Sequence, residues 1–500
     1  MTMRTRRTSR SLPAAAALGL ALALAAGGVS YAVGAQRDPA VYVMAASKTP
    51  ELLTPTVTHE PDAYEMLGVG CYSPSYCVAV GGGDGTFTGA VAVPIKNGKP
   101  GKPILWNTPD SSFSAAACVS ASECVLAGEE KPDSSSSEQA VAWLLRDRKL
   151  TVLTQTNATN NVMAGFRSAD CFSAKHCFVA GDATYLNASK AQLSAGVFGE
   201  VTLGSKPSIE VADNTNLPFA DAVSCPSAAL CYLGGSNGEA GAEGTFYPRN
   251  GDIDGPFAQP TVTDISGLAC TSRNACGASE QESSSLGEGA GWVELLNGKS
   301  TGTPHAVSGS QYMWGIAAVN PSYYLAVGSS IGDTWLTDLV TAAGKPAKVA
   351  ELKESGYLQG VSCPVQTECI AAGFTTDSNP DQPGGLDGVD GAIVVFHLKT
   401  APSAPRLKVT GTTGSSVTLR ITAPSSDGGT KVTGYHLLVT RCKPHKKACQ
   451  QQSVTTVKVS GTAHTVSVRH LASHTTYYFK ATATNAFGSG PYSARVHGTT

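Results

Sequence analysis

The sequence predicts an all-β chain whose main body is a seven-bladed β-propeller. The first observation behind this is a repeat. CYSPSYCVAVG, from Cys71 to Gly81, sets two Cys six positions apart, with small residues before them and an aliphatic run after. The pattern returns as CVSASECVLAG from Cys118, CFSAKHCFVAG from Cys171, CPSAALCYLGG from Cys225, CTSRNACGASE from Cys270 and CPVQTECIAAG from Cys363. AVNPSYYLAVG, in which Ala318 and Tyr324 take the Cys positions, makes seven copies. Successive copies start 47, 53, 54, 45, 48 and 45 residues apart. A period of this length belongs to radial or solenoidal arrays. The second observation is that no stretch beyond the N-terminal apolar run sustains a 3.6-residue apolar period. The third is composition: 15% charged residues and 54 Gly favour tight turns and uncharged loops over helix surfaces.

At the N-terminus, Arg4, Arg6, Arg7 and Arg10 precede LPAAAALGLALALAAGGVSYAVGA. Val33 and Ala35 suit the small-residue cleavage rule, so residues 1–35 read as a signal peptide cut after Ala35. An uncleaved anchor is the other reading, because the run approaches the roughly 20 residues that span a bilayer. Arg6-Arg7 also fits twin-arginine export. No Cys follows the run, which argues against a lipoprotein, and no later stretch is long and apolar enough to span a membrane. The 14 Cys fall in pairs, which implies an oxidising compartment. The expected location is secreted, extracellular or cell-wall associated.

Residues 36–400 are expected to form the propeller. Each copy reads as four short strands. The first precedes the first Cys position (MLGVG, FSAAA, FRSAD, ADAVS, ISGLA, MWGIA, LQGVS) and ends in small residues, as crowding at a common axis requires. The second follows the second Cys position. The third is apolar: GAVAVPI from Gly89, QAVAWLL from Gln139, GWVELL from Gly291 and TWLTDLV from Thr334. Asn97-Gly98, Asn250-Gly251 and Asn297-Gly298 then signal type I′ hairpins into the fourth. The seventh copy runs from GAIVVFHL straight into APSAP at Ala401 and lacks a fourth strand. ELLTPTVT, from Glu51 to Thr58, stands before the first copy as the spare strand that would complete it and close the ring. An open solenoid, or six or eight blades, remain as alternatives.

Five intervening residues fit a hairpin with the two Cys opposite each other, and a disulfide there needs Cα atoms about 5.5 Å apart. The expected bridges are Cys71–Cys77, Cys118–Cys124, Cys171–Cys177, Cys225–Cys231, Cys270–Cys276 and Cys363–Cys369. Zinc is the competing reading, although zinc sites prefer closer Cys pairs arranged in fours. In the sixth copy the Tyr324 ring is expected to pack over Ala318 in place of a bond.

The motif Ser224-Cys225-Pro226-Ser227, with Cys231 and Gly235, resembles the repeat of secreted actinobacterial β-propeller proteins. The resemblance covers roughly residues 50–400 and implies a fold and a location, not a reaction. Residues 401–500 resemble a fibronectin type III domain, which implies an immunoglobulin-like β-sandwich. Pro402 and Pro405 open it, TGYHLLV around Tyr435 looks like its third strand, and LASHTTYYFKATATNAFGSGPYS looks like its tyrosine-corner region. Tyr477 would be the corner residue, and Asn485 and Gly488 would form the following turn. Ile421 stands where the family usually has a core Trp. Cys442–Cys449 would staple a hairpin around KPHKKA.

Charge divides the chain. Residues 401–500 hold twelve Lys and Arg against one acid, Asp427, and residues 36–400 carry a formal charge of −17. Arg441, Lys443, His445, Lys446 and Lys447 gather at the stapled loop and could contact an anionic wall polymer or a membrane surface. A solvated basic face, or docking against the acidic body, is the plainer reading. Asp377, Asp381, Asp387 and Asp390 offer oxygen ligands for calcium, but match no EF-hand, and a solvated Gly/Asp loop reads equally. Gly234 to Gly238, GGSNG, carries the hydrolase nucleophile string without a helix after it, and reads as a turn. The ten His form no metal-binding spacing. No catalytic residue, cofactor or resident metal is assigned.

Long loops such as EEKPDSSSSEQ from Glu129 and SEQESSSLGEGA from Ser279 should share one face of the ring and carry any ligand site near the channel mouth. The expected function is a non-enzymatic binding or scaffold protein. Its loop face would take a glycan or protein, with the basic terminal domain as spacer or envelope anchor. A carbohydrate-active enzyme (a glycosidase acting on polysaccharide) or its accessory module is the alternative. The expected partner is a cell-envelope polysaccharide or protein, with no nucleic acid, and the chain is expected to be a monomer.

Overall fold

The structure is a computed structural model. It describes residues 48–60, 63–83, 88–131, 137–155, 161–186, 189–190, 192–214, 219–236, 241–247, 252–259, 264–272, 274–280, 291–296, 299–300, 305–341, 346–376, 389–445, 448–462 and 464–500. The segment read as a signal peptide lies outside them. Among the described residues all regular structure is β, and no helix there is long and apolar enough to cross a membrane.

The repeats fold as antiparallel four-strand units in chain order. Unit two is representative: Ser111–Ser120, Glu123–Glu130, Gln139–Arg146 and Lys149–Gln155 pair consecutively. In units one and five the fourth strand is split in two, Lys99–Pro100 with Ile104–Trp106, and Lys299–Ser300 with His305–Ala306. A single long strand, Pro346–Val365, first closes unit six and then opens unit seven. The outer strand of unit seven comes from the other end of the chain. Glu51–Leu52 and Thr56–Glu60 both pair antiparallel with Val389–Lys399.

Turn chemistry follows the residues. Asn97 (φ 51°) and Gly98 (φ 72°) make the type I′ turn that Asn-Gly signals, while Asp147 (φ 48°) and Arg148 (φ 66°) adopt the same geometry without a glycine. Asn250-Gly251 and Asn297-Gly298 lie outside the described residues. At the Cys hairpins a Ser two residues after the first Cys accepts a backbone N–H two residues on: Ser122 to Ser120, Lys175 to Ser173, Ala229 to Ser227 and Asn274 to Ser272. Asn320 does the same for Ser322 in unit six. These side-chain turns fix the reversal before the chain needs a cross-link.

All six C-x5-C pairs of the repeats are disulfides, with S–S distances of 1.98–2.06 Å. Their Cα atoms are 3.8–4.0 Å apart, shorter than the 5.5 Å expected from the sequence. In units one, two, three and five the Cys are direct Cα partners beside a two-residue turn. Residues facing each other in this way approach most closely where no ladder bond holds them apart. Ala318 and Tyr324 are partners in the same register, and Tyr324 is 1% exposed.

Hydrophobic clusters sit between units rather than within them. One joins units one and two through Phe113, Val78 and Trp143; the next joins two and three through Leu144, Phe166 and Val179. The series continues to Leu339 and Phe396 between units six and seven. A further cluster unites Met66, Val91 and Val93 of unit one with Ile370, Ile393 and Val395 of unit seven. Close backbone approach follows the same path. A Cβ on Gly68 would stand 2.4 Å from Ser114 O, and one on Gly360 of unit seven would stand 2.8 Å from Gly68 Cα of unit one.

The C-terminal strands form two sheets packed on each other. Arg406–Thr413, Ser416–Thr422 and Thr465–Val468 make one; Gly434–His445, Ala448–Ser460 and Thr476–Asn485 form the main part of the other. Leu419, Leu437, Val439 and Phe479 are fully buried between them. Ile421, 1% exposed, fills its space beside Tyr435 and Ala483. Tyr477 Oη accepts the Ala472 N–H at 2.9 Å, which makes it the corner residue. Asn485 Oδ1 accepts the Phe487 N–H at 2.8 Å and shapes the turn into Gly488 (φ 121°).

Candidate binding site at the inner strand ends

The site is assembled from equivalent positions in different units. Each first strand slips register just before its small-residue end, for example between Met66 and Gly68, Phe166 and Ser168, and Met313 and Gly315. A bulge leaves one residue unpaired and re-aims its side chain. The residue before the slip (Met66, Phe113, Phe166, Ile265, Met313, Leu358) is fully buried between sheets. The slipped residues, four before the first Cys position, are half-buried: Leu67, Ser114, Arg167, Asp221, Ser266, Trp314 and Gln359. Beside them stand the residue two places earlier and the residue five places after the second Cys position. All belong to the strand ends opposite the disulfide turns.

Units two to five make this region charged. Arg167 donates from Nη1 to Glu129 Oε2 at 2.8 Å and from Nε to Asp182 Oδ1 at 3.0 Å, bridging two units. Asp221 lies close enough to feel Asp264, Asp182 and Arg167. Burial, reinforced by the Asp264 and Asp182 charges and opposed by Arg167, pushes the Asp221 carboxyl up to about 8. Burial also raises Asp264, against the Ile265 N–H that lowers it, and Asp264 Oδ1 is buried without a hydrogen-bond partner. Glu129 is raised by burial, with Arg167 opposing, and Glu65 is raised by burial alone.

Units six and seven make it aromatic. Tyr312 and Trp314 have ring centroids 5.3 Å apart, and Tyr357 and Phe374 5.2 Å, both pairs tilted by 35°. Trp335 Nε1 donates to Phe374 O at 3.0 Å and braces the shelf from beneath. The Tyr357 hydroxyl donates to Asp333 Oδ1 at 2.8 Å, and this bond, with burial and the Asp333 charge, pushes its phenol up to about 12. The arrangement is an aromatic shelf sharing one end of the units with an arc of carboxyl groups. Stacking surfaces and polar groups of this kind bind amphipathic rings.

The first strands are also laced to one another. The Val223 N–H bonds Ser168 Oγ at 3.0 Å, and the Cys270 N–H bonds Ser224 Oγ at 3.1 Å. The Asp170 carboxyl accepts from Cys171 N at 2.7 Å and Cys225 N at 2.6 Å. Burial raises it to about 6, with those two N–H groups opposing.

None of the site's charged residues was singled out in the sequence, because Glu129, Arg167, Asp182, Asp221 and Asp264 lie in four different repeats. Stacking the seven copies on their Cys would have shown the signal: the position four before the first Cys is polar in five of seven. Of the calcium candidates, Asp377, Asp381 and Asp387 lie outside the described residues, and Asp390 is exposed beside Thr375. Among the described residues no group of three His, Cys, Asp or Glu is placed to hold a metal. GGSNG begins at the end of strand Leu230–Ser236, and the next described element is a strand from Gly241. In the basic hairpin Arg441 pairs with Gln452 and Tyr477, and its Nε is buried without a partner. Lys446 and Lys447, and the side chains of Lys443 and His445, lie outside the described residues. Cys442 pairs with Gln451 and Cys449 with Pro444 along the backbone, two residue pairs apart, and the side chains of both Cys are likewise outside.

Residues 400–499 match the fibronectin type III domain family, and this part of the chain is a fibronectin type III domain. Among solved structures, the twitchin kinase region from C. elegans is 20% identical, over 19% of this chain and 16% of that chain, with a TM-score of 0.16. A myokine structure is 20% identical over 20% of this chain and 98% of that chain, TM-score 0.17. The FN3 domain of human collagen XX is 24% identical over 20% of this chain and 94% of that chain, TM-score 0.16. This chain thus spans about a sixth of the twitchin chain. No curated protein matches it.

Proposed function

We propose that the chain is a secreted or cell-surface, non-enzymatic binding protein. In this reading its seven units close into a seven-bladed β-propeller, and the mouth between the inner strand ends takes a glycan. Closure is supported by the shared core of units one and seven and by the N-terminal strands on Val389–Lys399. The observation that carries the ligand class is the aromatic shelf of Tyr312, Trp314 and Tyr357, backed by the buried Phe374, on the same strand ends as the carboxyl arc. Sugar rings stack on such shelves and give their hydroxyls to carboxylates. Among the described residues of the mouth, acids outnumber the cation Arg167, which disfavours acidic polysaccharides and suits neutral or amino sugars.

A glycan array with the intact protein tests this. Neutral or amino-sugar ligands should be retained and left uncleaved, and Trp314→Ala should weaken retention roughly tenfold. Preference for uronic-acid polymers, or retention untouched by Trp314→Ala, would remove the mouth as the site. One observation favours glycoside hydrolysis as a second reading: Asp221 stays protonated near neutral pH beside Asp264, as a general acid must. Product formation abolished by Asp221→Asn would favour it over binding alone.

A further inference from the structure

The short linker between the repeats and the type III domain is enclosed. Thr400 is 2% exposed. Its N–H donates to Gly428 O at 2.8 Å, and its carbonyl accepts from Asn485 Nδ2 at 2.7 Å, a side chain that also bonds Asp427 O at 2.8 Å. From the other side, two disulfide-face turns reach in. Asn320 Nδ2 of unit six donates to Thr400 Oγ1 at 3.3 Å. Gln366 Nε2 of unit seven donates to Ala401 O at 2.8 Å and reaches Ser426 Oγ at 3.4 Å. The N-terminal segment adds a third tie, Lys48 N–H to Phe487 O at 2.7 Å. Glycine is required where the domain holds the start of its own chain against the repeats. Gly428 has φ 78°, and a Cβ there would stand 2.1 Å from Thr400 O; a Cβ on Gly429 would stand 3.2 Å from Leu398 O of unit seven.

We propose that the type III domain is locked onto the disulfide-turn face of units six and seven, through Asn320, Gln366, Thr400 and Asn485, as a fixed strut rather than a swinging spacer. A linker of this kind normally leaves domains free to reorient. Here every polar group of residues 400 and 401 named above has a partner in one body or the other. The loop end of the sandwich, residues 426–429 and 485–488, is used up by the lock. Strand Gly434–His445 starts at that end and runs twelve residues away from it, about 40 Å. The described end of that strand therefore lies at the far pole of the domain, and the aromatic and carboxyl site lies on the opposite face of the repeats.

Solution scattering and amide exchange on the full chain test the lock. The unmodified protein should scatter as one rigid shape, with slow exchange at Thr400 and Ser403, whose N–H groups bond Gly428 O and Ser426 O. Asn320→Ala combined with Gln366→Ala should lengthen the particle and speed exchange at these amides at least about tenfold, leaving strand Thr476–Asn485 protected. Gly428→Ala, which displaces Thr400 directly, should do the same. Scattering of the unmodified chain that needs many orientations would overturn the proposal. So would exchange at residues 400–403 at open-loop rates, or no response to either variant.

Discussion

Asp221 and Asp170 place titrating carboxyls inside a β framework, and their effect on stability has a definite sign. Asp221 moves from 3.8 to about 8 and Asp170 from 3.8 to about 6, each mainly through burial. In the folded protein each holds a proton that the unfolded chain has already released. Their contribution is therefore complete below about pH 4 and is lost as pH rises, through about 6 for Asp170 and about 8 for Asp221. Of these two carboxyls, only Asp221 is still titrating between about pH 6.5 and 9. The melting temperature of the unmodified protein should fall by several degrees across that window. Asp221→Asn, which keeps a neutral side chain at every pH, should fall less and end the higher of the two at pH 9. Melting curves with parallel pH dependence in the two proteins would show that Asp221 is not held protonated by the fold.

The hairpin that begins each unit shows how two solutions to one packing problem compare. A disulfide closing so small a loop contributes about 2 kcal/mol on the chain-entropy account. Unit six instead buries Tyr324, against whose ring a Cβ on Gly277 of the preceding unit would stand at 3.4 Å. Emptying such a site costs about 3–5 kcal/mol for an aromatic side chain. Ala318→Cys with Tyr324→Cys should therefore form a bridge, since the two are direct Cα partners, and still melt below the unmodified protein. Thiol titration establishes the bridge and calorimetry the melting point; a bridged variant that melts higher would mean the ring contributes less than the bond. The hairpins were legible in the sequence because Cys spacing and turn residues are local. The third strands were legible too: GWVELL is the observed strand Gly291–Leu296. The bulge was not, because skipping Arg167 or Trp314 breaks the two-residue alternation on which strand reading depends. The site it builds was hidden for the same reason.

Whether the repeats form a ring or an open row is a question about the whole molecule, and it has a mechanical signature. In a row, each unit is stabilised only by its neighbours in sequence, so a defect in unit seven leaves unit one untouched. In a ring the two are neighbours. Ile393 is fully buried, lies opposite Thr58 of the N-terminal strand, and belongs to the cluster with Met66, Val91 and Val93 of unit one. Ile393→Ala should cost about 2–5 kcal/mol, a range set by how far the surroundings can collapse. That loss should be shared across the seam. Amide exchange should quicken in strand Ala90–Lys96 of unit one as much as in Glu368–Thr376 of unit seven, while strand Gln192–Thr202 of unit three stays slow. Loss of protection confined to units six and seven would mean that the contact between Gly360 and Gly68 carries no load. The proposed mouth would then lack the rigid frame that sets the aromatic shelf against the carboxyl arc.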